Sequence, residues 1–257
     1  MHFKTKNEWC FRFFNSPDYL DIYQDMTGPL RTEAEIAFCQ NVLHWRPGQL
    51  ILDAPCGAGR HSIYLSKQGH AVVGLDFSSY LLQKAGASLP SFLRKKSPPD
   101  FVRGLLQNLP FGDETFDFII CLFSSFGYGE KEIDNLQIMK EFARLLRPNG
   151  KVLIDVMNRH FIAPRLSPVY ESSCSDLFVR EERTITDNGR RLHNLIQVRD
   201  SRGEKRQYLY NPWLFDGDEL SQLGEQAGLT IEKIYGNFYA DEYSRSSERA
   251  MMAAVKR

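Results

Sequence analysis

The feature that most constrains the fold of this sequence is an alternation, from Gln49 onward, between short apolar runs and segments of helical periodicity. Parallel strands need long crossover connections, usually helices, so this alternation indicates repeated βα units and a mostly parallel sheet. The predicted strands are Gln49–Ala54, Ala71–Asp76, Asp100–Leu105, Phe116–Leu122 and Lys151–Val156. The predicted helices between them are Gly59–Gln68, Ser79–Ala87 and Lys131–Leu146. We therefore expect an α/β fold with a doubly wound, Rossmann-like sheet.

The pattern changes after Asn158. Between about Leu177 and Leu214 apolar and polar residues alternate, and turn signals stand at Asn188-Gly189 and Ser201-Arg202-Gly203. Alternation with a period of two and short glycine turns is typical of antiparallel hairpins. This stretch is predicted to be an antiparallel β meander inserted beside the main sheet.

The remaining segments complete a single predicted domain. Asp218 is expected to cap a helix that runs to about Ala227, and strands Thr230–Tyr235 and Ala250–Lys256 bring the main sheet to seven strands. Within residues 1–257 we expect an N-terminal helical segment at 1–45, a core at 46–160, an inserted antiparallel segment at 165–214, and a closing helix and strands at 215–257.

Composition excludes several classes. Acidic and basic residues balance at 32 each, so no overall field attracts nucleic acid or an anionic membrane. The five cysteines are scattered without a C-x-x-C pair or a histidine cluster, which predicts a reduced, cytoplasmic chain without a metal site. No apolar run reaches the length of a bilayer span, so neither export nor membrane insertion is expected.

A glycine turn, Leu52-Asp53-Ala54-Pro55-Cys56-Gly57-Ala58-Gly59-Arg60, follows the first predicted strand. In open parallel sheets this turn borders the ligand crevice. A dinucleotide fingerprint has a third glycine where this chain has Ser62, and a P-loop would need a Gly-Lys-Ser/Thr sequence that does not follow. The turn alone does not decide between these ligands and a plain structural turn.

Two acidic residues narrow the choice of ligand for this turn. Asp53 would repel a pyrophosphate but can accept from an ammonium group, and Asp76, at the end of the second strand, can accept both hydroxyls of an adenosine ribose. Together they favour a ligand with an amino acid end and a ribose. The structural alternatives are that Asp53 is a capping or solvated strand end and that Asp76 begins a cap for the next helix.

These residues resemble a known family. The stretch ILDAPCGAGRHSIYLSKQGHAVVGLDFS is similar to the first motif and the acidic second-strand end of the class I methyltransferases that use S-adenosylmethionine. LPFGDETFDFIICLFSSFGY and EFARLLRPNGKVLIDV are similar to the fourth-strand region and the fifth-strand turn of that family, and LSQLGEQAGLTIEKIYG fits its last helix and strand. The core of the resemblance runs from about residue 46 to residue 158.

The resemblance implies where the cofactor binds. Asp53 and the backbone of Ala54, Gly57 and Gly59 would hold the methionyl end, Asp76 the ribose and Phe77 the adenine. Leu122 and Ser124 would pass close to the transferred methyl group. Many members place an acid before the Leu-Pro-Phe element, where this chain has Leu105, so adenine would be held by the backbone near Leu106, or by Gln107 or Asn108.

Three regions are candidates for the acceptor side. Phe14, Tyr19, Tyr23 and Arg31 could form an N-terminal lid, with Arg31 pairing the methionyl carboxylate as in similar small-molecule enzymes; the alternative is a helix anchored by its aromatics. Asn158, Arg159 and His160 follow the fifth strand, and His160 is a candidate base or an ordinary surface histidine. Tyr208 and Tyr210 of the meander would wall the acceptor pocket, unless the meander is a dimer surface.

The expected function is therefore transfer of a methyl group from S-adenosylmethionine to a nitrogen or oxygen of a small molecule. His160, Tyr19 and Tyr23 are the candidate catalytic residues, and Ser124, Asn158, Arg159 and Tyr208 the candidate acceptor residues. A non-catalytic S-adenosylmethionine-binding protein is the first alternative, and a nicotinamide oxidoreductase, which Asp53 and Ser62 disfavour, is the second. We expect a monomer or a homodimer with no nucleic acid partner.

Overall fold

A computed structural model describes residues 8–257, apart from the side chains at positions 8, 9, 95 and 96. Three helices precede the sheet: α1 (Glu8–Phe14), α2 (Pro17–Tyr23) and α3 (Pro29–Leu43). The core elements are β1 (Leu50–Asp53), α4 (Arg60–Lys67), β2 (Ala71–Asp76), α5 (Ser79–Ala87), α6 (Ser91–Lys96), β3 (Asp100–Arg103), β4 (Phe116–Cys121), α7 (Glu132–Leu145) and β5 (Leu146–Met157). Then follow α8 (Arg159–Ile162), β6 (Val169–Cys174), β7 (Leu177–Thr186), β8 (Arg191–Asp200), β9 (Lys205–Tyr210), α9 (Gly217–Gln226), β10 (Leu229–Tyr235) and β11 (Arg249–Lys256).

The main sheet has seven strands in the order β10-β11-β5-β4-β1-β2-β3. All neighbours pair in parallel except β11, which is antiparallel to both β5 and β10. The chain moves outward from β1 in one direction through β2 and β3, and in the other through β4 and β5. This reversal opens a crevice at the carboxyl ends of β1 and β4, and it confirms the predicted doubly wound, Rossmann-like fold.

Helices bury both faces of this sheet. On one face α7 and α9 cover the strands with Met139, Phe142 and Leu220, none of which is exposed. On the other face α3 contributes Ile36 and Leu43, packed against Ile51 of β1. Strands that are buried on both faces carry nearly continuous apolar runs, which is why the central strands were recognisable in the sequence.

The inserted meander is a separate four-stranded antiparallel sheet in the order β6-β7-β8-β9. The predicted turns are confirmed: Asn188, Gly189 and Gly203 all have positive φ angles, between 57° and 87°. The sheet begins at Val169, one strand before the alternation that the sequence shows from about Leu177 and within the inserted segment expected at 165–214. Val169–Cys174 is mostly exposed and carries consecutive polar residues, so its pattern lacks the alternation of the inner strands.

The N-terminal helices and the meander pack on each other over the crevice. Phe13 and Phe14 of α1 share an apolar cluster with Val179 and Ile196 of the meander. The end of α1 is also fixed to the main sheet, because Ser78 Oγ donates a hydrogen bond of 2.7 Å to the carbonyl of Phe14. These two segments therefore form one layer that is attached directly to the end of β2.

One helix cap was wrongly predicted. Asp216, not Asp218, caps α9: its carboxylate accepts from Glu219 N at 2.9 Å, and the Glu219 carboxylate accepts from Asp216 N at 3.1 Å. Asp218 lies exposed in the first turn. Both positions satisfy the sequence rule for a cap, and the direction in which the chain enters the helix selects the earlier one.

Among residues 8–257 no helix combines the length and apolar character needed to cross a bilayer. Within the same residues no three histidine, cysteine, aspartate or glutamate side chains are grouped to hold a metal ion.

The cap suggests a first prediction. Asp216→Ala should lower the free energy of unfolding by about 2 kcal/mol, because it removes the cap and leaves Arg159 without the nearer of its two carboxylate partners. Asp218→Ala, the matched control in the same turn, should change it by less than about 0.5 kcal/mol. Urea denaturation of both variants measures this; equal losses would show that the capping box is not formed.

Candidate functional site

The glycine turn between β1 and α4 has two glycines in the left-handed region, Gly57 at φ 56° and Gly59 at φ 77°. They differ in their surroundings. A Cβ on Gly59 would lie 2.8 Å from Phe101 Cζ and 2.9 Å from the Cβ of Ala85, whereas one on Gly57 would meet no atom within 4 Å. Gly59 therefore allows close packing of α4, and Gly57 leaves open space above the turn.

The buried carboxylate of Asp53 lies beneath this turn. Its Oδ2 accepts from Ser62 N at 3.1 Å and from Ser62 Oγ at 2.6 Å, while Oδ1 has no hydrogen-bond partner in the described part of the chain. Burial raises the pKa of Asp53 above its usual value. Ser62, which breaks the dinucleotide pattern, thus orients an acid and leaves one of its oxygens available.

Asp76 joins the end of β2 to the same turn. Its Oδ2 accepts from Gly57 N and its Oδ1 from Ser78 N, both at 2.8 Å. Burial raises the pKa of Asp76 to about 6, against these hydrogen bonds. Each carboxylate oxygen can accept a further hydrogen bond, so the group remains competent to bind a ligand with two donors.

Three neighbouring cavities lie at the carboxyl ends of the strands. The turn cavity, of about 130 Å³, is bordered by the glycine turn, Asp76, Leu122 and the rings of Tyr19 and Tyr23. The β3 cavity, of about 270 Å³, shares Pro55, Phe77 and Tyr128 with it and extends to residues 104–107. The aromatic cavity, of about 90 Å³, lies on its other side. The turn and aromatic cavities share five aromatic walls: Phe14, Tyr19, Tyr23, Phe123 and Tyr128.

A cluster of basic side chains surrounds Glu35, and two of them, Arg60 and His61, border the turn cavity. Buried Glu35 accepts from Arg31 Nε at 2.9 Å, Arg60 Nη1 at 2.5 Å and His61 Nε2 at 2.8 Å. Burial opposes its ionisation, but hydrogen bonds and charges from His61 and Arg60 outweigh burial and lower the pKa of Glu35 to about 2. Arg60 Nη2 is buried and has no hydrogen-bond partner among the described residues, so a donor remains available beside the turn.

Four phenols surround the junction of the turn and aromatic cavities: Tyr19, Tyr23, Tyr128 and Tyr210. Burial is the main cause that raises the pKa of each above its usual value, for Tyr210 to about 12. They therefore stay protonated near neutral pH and act as hydrogen-bond donors rather than as bases. Tyr19 and Tyr23 therefore lie beside the cavities as hydrogen-bond donors, and not as groups that abstract a proton.

Several predicted cofactor residues meet at these cavities. Gly57, Asp76, Phe77 and Leu122 line the turn cavity, while Leu106 and Gln107 line the β3 cavity opposite Phe77. Ala54, Asp53 and Gly59 lie buried or packed behind the turn. Arg31 borders the aromatic cavity instead of the turn cavity, and its Nε is paired with Glu35.

Among the predicted acceptor residues, Ser124 reaches the aromatic cavity. Its Oγ accepts from Met157 N at 3.0 Å and from Arg249 Nη2 at 2.9 Å, and it keeps its own proton to donate. Arg249 lies beside it in the cavity wall and pairs with buried Asp155. No sequence motif indicated Arg249, because its position depends on the antiparallel pairing of β11 with β5.

The structure does not bring Asn158, Arg159 and His160 to any of the three cavities. Asn158 is fully buried and donates to the carbonyls of Arg245 and Ser247. Arg159 pairs with Asp216 and Glu219, and His160 Nε2 lies 3.1 Å from Asp216 Oδ2. The expectation that this strand end faces the crevice fails because these residues bind the loop before β11 and the start of α9.

Tyr208 is also held elsewhere. Its hydroxyl donates to Asp18 Oδ2 at 2.8 Å and lies 2.7 Å from Ser16 Oγ, on an outer groove shared with Arg206. Tyr210, one pleat further along β9, is the meander tyrosine that reaches the aromatic cavity. Residues two apart on a strand share a face, so the sequence could not decide which of them the lid would cover.

The chain resembles known methyltransferases over different lengths. A family model described as a methyltransferase domain matches residues 51–150. A demethylmenaquinone methyltransferase from Lysinibacillus sphaericus is 31% identical over 161 residues, which are 58% of this chain and 62% of that protein. The chain therefore spans somewhat less than two thirds of the length of this relative.

Solved structures match over nearly the whole chain. A S-adenosylmethionine-dependent methyltransferase from Clostridium acetobutylicum superposes with a TM-score of 0.77 at 16% identity, covering 93% of this chain and 96% of the other. An amino pentose methyltransferase from Micromonospora echinaspora, solved with S-adenosylmethionine bound, gives 0.66 at 18% identity and covers 94% and 98%. At these identities the superpositions establish the fold.

The motifs, the domain match and the fold agree with the family that the sequence resembles, the class I S-adenosylmethionine-dependent methyltransferases. Residues 51–150 match a methyltransferase domain, and the superpositions show that the chain has the fold of such an enzyme. S-adenosylmethionine is the methyl donor of this class.

Proposed function

We propose that this protein transfers the methyl group of S-adenosylmethionine to a nitrogen or oxygen of a small molecule bound in the aromatic cavity. The observation that carries the proposal is a pair of unpartnered groups at the glycine turn, Asp53 Oδ1 and Arg60 Nη2. An acceptor and a donor left free in a buried place each carry an energetic cost that a suitable ligand removes. An amino acid end supplies both partners, an ammonium and a carboxylate.

In this proposal, different residues bind different parts of the cofactor. Asp53 and the backbone of the glycine turn hold the ammonium side of the methionyl end, and Arg60 holds its carboxylate. Asp76 accepts the ribose hydroxyls, as the resemblance implies, and the open space at Gly57 lets the ligand approach the backbone. Phe77, shared by the turn and β3 cavities, packs against the base.

Bound there, the cofactor supplies a methyl group on a positively charged sulfur, which needs only a well-aligned nucleophile. The rings shared by the turn and aromatic cavities exclude water from that junction and favour a cation beside their faces. Protonated Tyr23 and Tyr210, with the hydroxyl of Ser124, can hold the acceptor by hydrogen bonds. Alignment of two bound groups accounts for most of the catalysis in such a displacement.

The acceptor is small and already nucleophilic in this proposal. The aromatic cavity is only about 90 Å³, and its described lining contains no aspartate, glutamate or histidine. A neutral amine nitrogen or an ionised oxygen fits such a chamber better than an alcohol, which would need a base. The structural neighbour that methylates an amino pentose supports a small-molecule acceptor.

Calorimetry and a transfer assay test this proposal. The protein should bind S-adenosylhomocysteine and not NADH, and should move label from S-adenosylmethionine to at least one member of a panel of amines, hydroxyl compounds and carboxylates. Binding of NADH alone would reject the methyltransferase proposal in favour of an oxidoreductase. Tight cofactor binding with no transfer to any acceptor would favour a non-catalytic binding protein.

The two arginines give a sharper prediction about the methionyl end. Arg60→Gln should weaken S-adenosylhomocysteine binding by about tenfold or more, because a charge-assisted hydrogen bond to the carboxylate is lost. Its affinity for 5′-methylthioadenosine, which lacks the amino acid end, should stay within about twofold. Titration calorimetry measures both ligands.

Arg31→Gln is the matched control. Arg31 pairs with the same Glu35 but borders the aromatic cavity, so its loss should change S-adenosylhomocysteine affinity by less than about threefold. The reverse result, a large effect at Arg31 and none at Arg60, would return the carboxylate to Arg31 as the sequence resemblance implied.

Asp76 predicts a pH dependence of cofactor binding. With its pKa raised to about 6, the carboxylate is about one tenth ionised at pH 5 and nine tenths ionised at pH 7, and only the ionised form accepts both hydroxyls. S-adenosylhomocysteine should therefore bind about tenfold more tightly at pH 7 than at pH 5. Asp76→Asn should bind weakly at both pH values and lose most of this dependence.

The same raised pKa of Asp76 also affects the free energy of unfolding, but here the contribution is larger at low pH. The folded protein holds the Asp76 proton more tightly than the unfolded chain, so this group's contribution favours folding at low pH and is lost as pH rises from about 4 to about 6. Unliganded wild type should lose stability relative to Asp76→Asn across that window in urea titrations. A constant difference between the two would show that Asp76 has an ordinary pKa.

A further inference from the structure

The β3 cavity contains two carboxylates that no motif indicated. Its apolar walls include Leu75, Phe77 and Ile138, which suit a flat ring, and residues 104–107 line it from the loop after β3. Glu130 and Asp134 line the same cavity from the loop and first turn that lead into α7. The cavity thus combines apolar surfaces with groups that only accept hydrogen bonds when ionised.

The two carboxylates are engaged differently. Asp134 Oδ2 accepts from Lys131 N at 2.8 Å and belongs to the cap of α7. The carboxylate of Glu130 makes no hydrogen bond or ion pair with any described residue, although its side chain is partly buried. Its backbone is nevertheless fixed, because Arg191 donates to the Glu130 carbonyl at 3.1 Å and Trp213 Nε1 to the Gly129 carbonyl at 3.0 Å. Glu130 is therefore a positioned acceptor without a partner among the described residues.

We infer that Glu130 recognises the exocyclic amino group of the cofactor's adenine. The inference rests on the proposed function, since it places the base of that cofactor in the β3 cavity. An ionised carboxylate requires a donor on the ligand, and the amino group of adenine is such a donor. The cavity also adjoins Asp76's ribose site through Pro55 and Phe77, which is where the base must lie.

This assignment explains a departure in the sequence. Leu105, which stands where the resemblance places an acid, also lines the β3 cavity but offers no polar side-chain atom. Glu130 supplies the missing acceptor from a different strand-to-helix connection. Hypoxanthine carries a carbonyl oxygen in place of the amino group, so Glu130 would face an acceptor and reject it.

The test compares two ligands that differ in that group and in the hydrogen on the adjacent ring nitrogen N1. By titration calorimetry, wild type should bind S-adenosylhomocysteine at least about tenfold more tightly than S-inosylhomocysteine. Glu130→Gln should bring the two affinities within about threefold, because an amide can donate to the carbonyl as well as accept from the amino group. Glu132→Gln is the matched control: it removes the same charge two residues away, from a side chain that pairs with Arg190, and should keep the preference.

A gain-of-function variant completes the test. Leu105→Asp in the Glu130→Gln background should restore the preference for the adenosyl ligand to at least about tenfold. A Glu130→Gln protein that keeps the wild-type preference would overturn the inference, as would an equal loss in Glu132→Gln. Failure of wild type to bind either ligand is a different result, because it contradicts the proposed function itself.

Discussion

The carboxylate of Asp76 connects the parts of this molecule that must be in register for a site to exist. One oxygen accepts from the glycine turn at Gly57 N, and the other accepts from Ser78 N at the start of α5. Ser78 in turn donates to the carbonyl of Phe14 at the end of α1. Through Asp76 and Ser78, the strand end fixes the turn, the next helix and the N-terminal layer, so the walls of the turn cavity are set by one hydrogen-bonded junction.

This junction is costly before a ligand arrives. Asp53 and Asp76 are both buried acids with raised pKa values, and Asp53 keeps one oxygen unpaired. Arg60 holds a nitrogen nearby that is unpaired among the described residues, while its other terminal nitrogen pairs with Glu35. Buried polar groups without partners lower the free energy of unfolding, and a charged ligand would supply those partners. An apolar core of equal burial has no such groups, and in this it differs from a binding site.

The cofactor side was predictable because its signals are local. The glycine turn, the acid at the end of β2 and the apolar strands each follow from a few consecutive residues. The acceptor side depends on distant pairings instead. Asn158 and His160 follow a strand end that should face the crevice, yet the loop before β11 engages Asn158 and the start of α9 engages His160. Arg249 arrives from β11, which pairs with β5. Arg60 could be recognised in the sequence as the first residue of the helix after the turn. The sequence could not show that one of its nitrogens has no partner among the described residues.

The cofactor side and the acceptor side of the candidate site also come from different parts of the chain. The matched methyltransferase domain ends at residue 150, whereas much of the aromatic cavity is walled by Phe13, Tyr23 and Tyr210 from outside it. These rings come from the N-terminal helices and the meander, which hold each other through Asp18, bonded to both Tyr208 and Arg206. Changes in either segment can reshape the acceptor chamber while Asp76 and the glycine turn keep the donor in place. Under the proposed function, selection of the acceptor is therefore expected to depend on how the N-terminal helices and the meander pack, and it can diverge among proteins that share the same core.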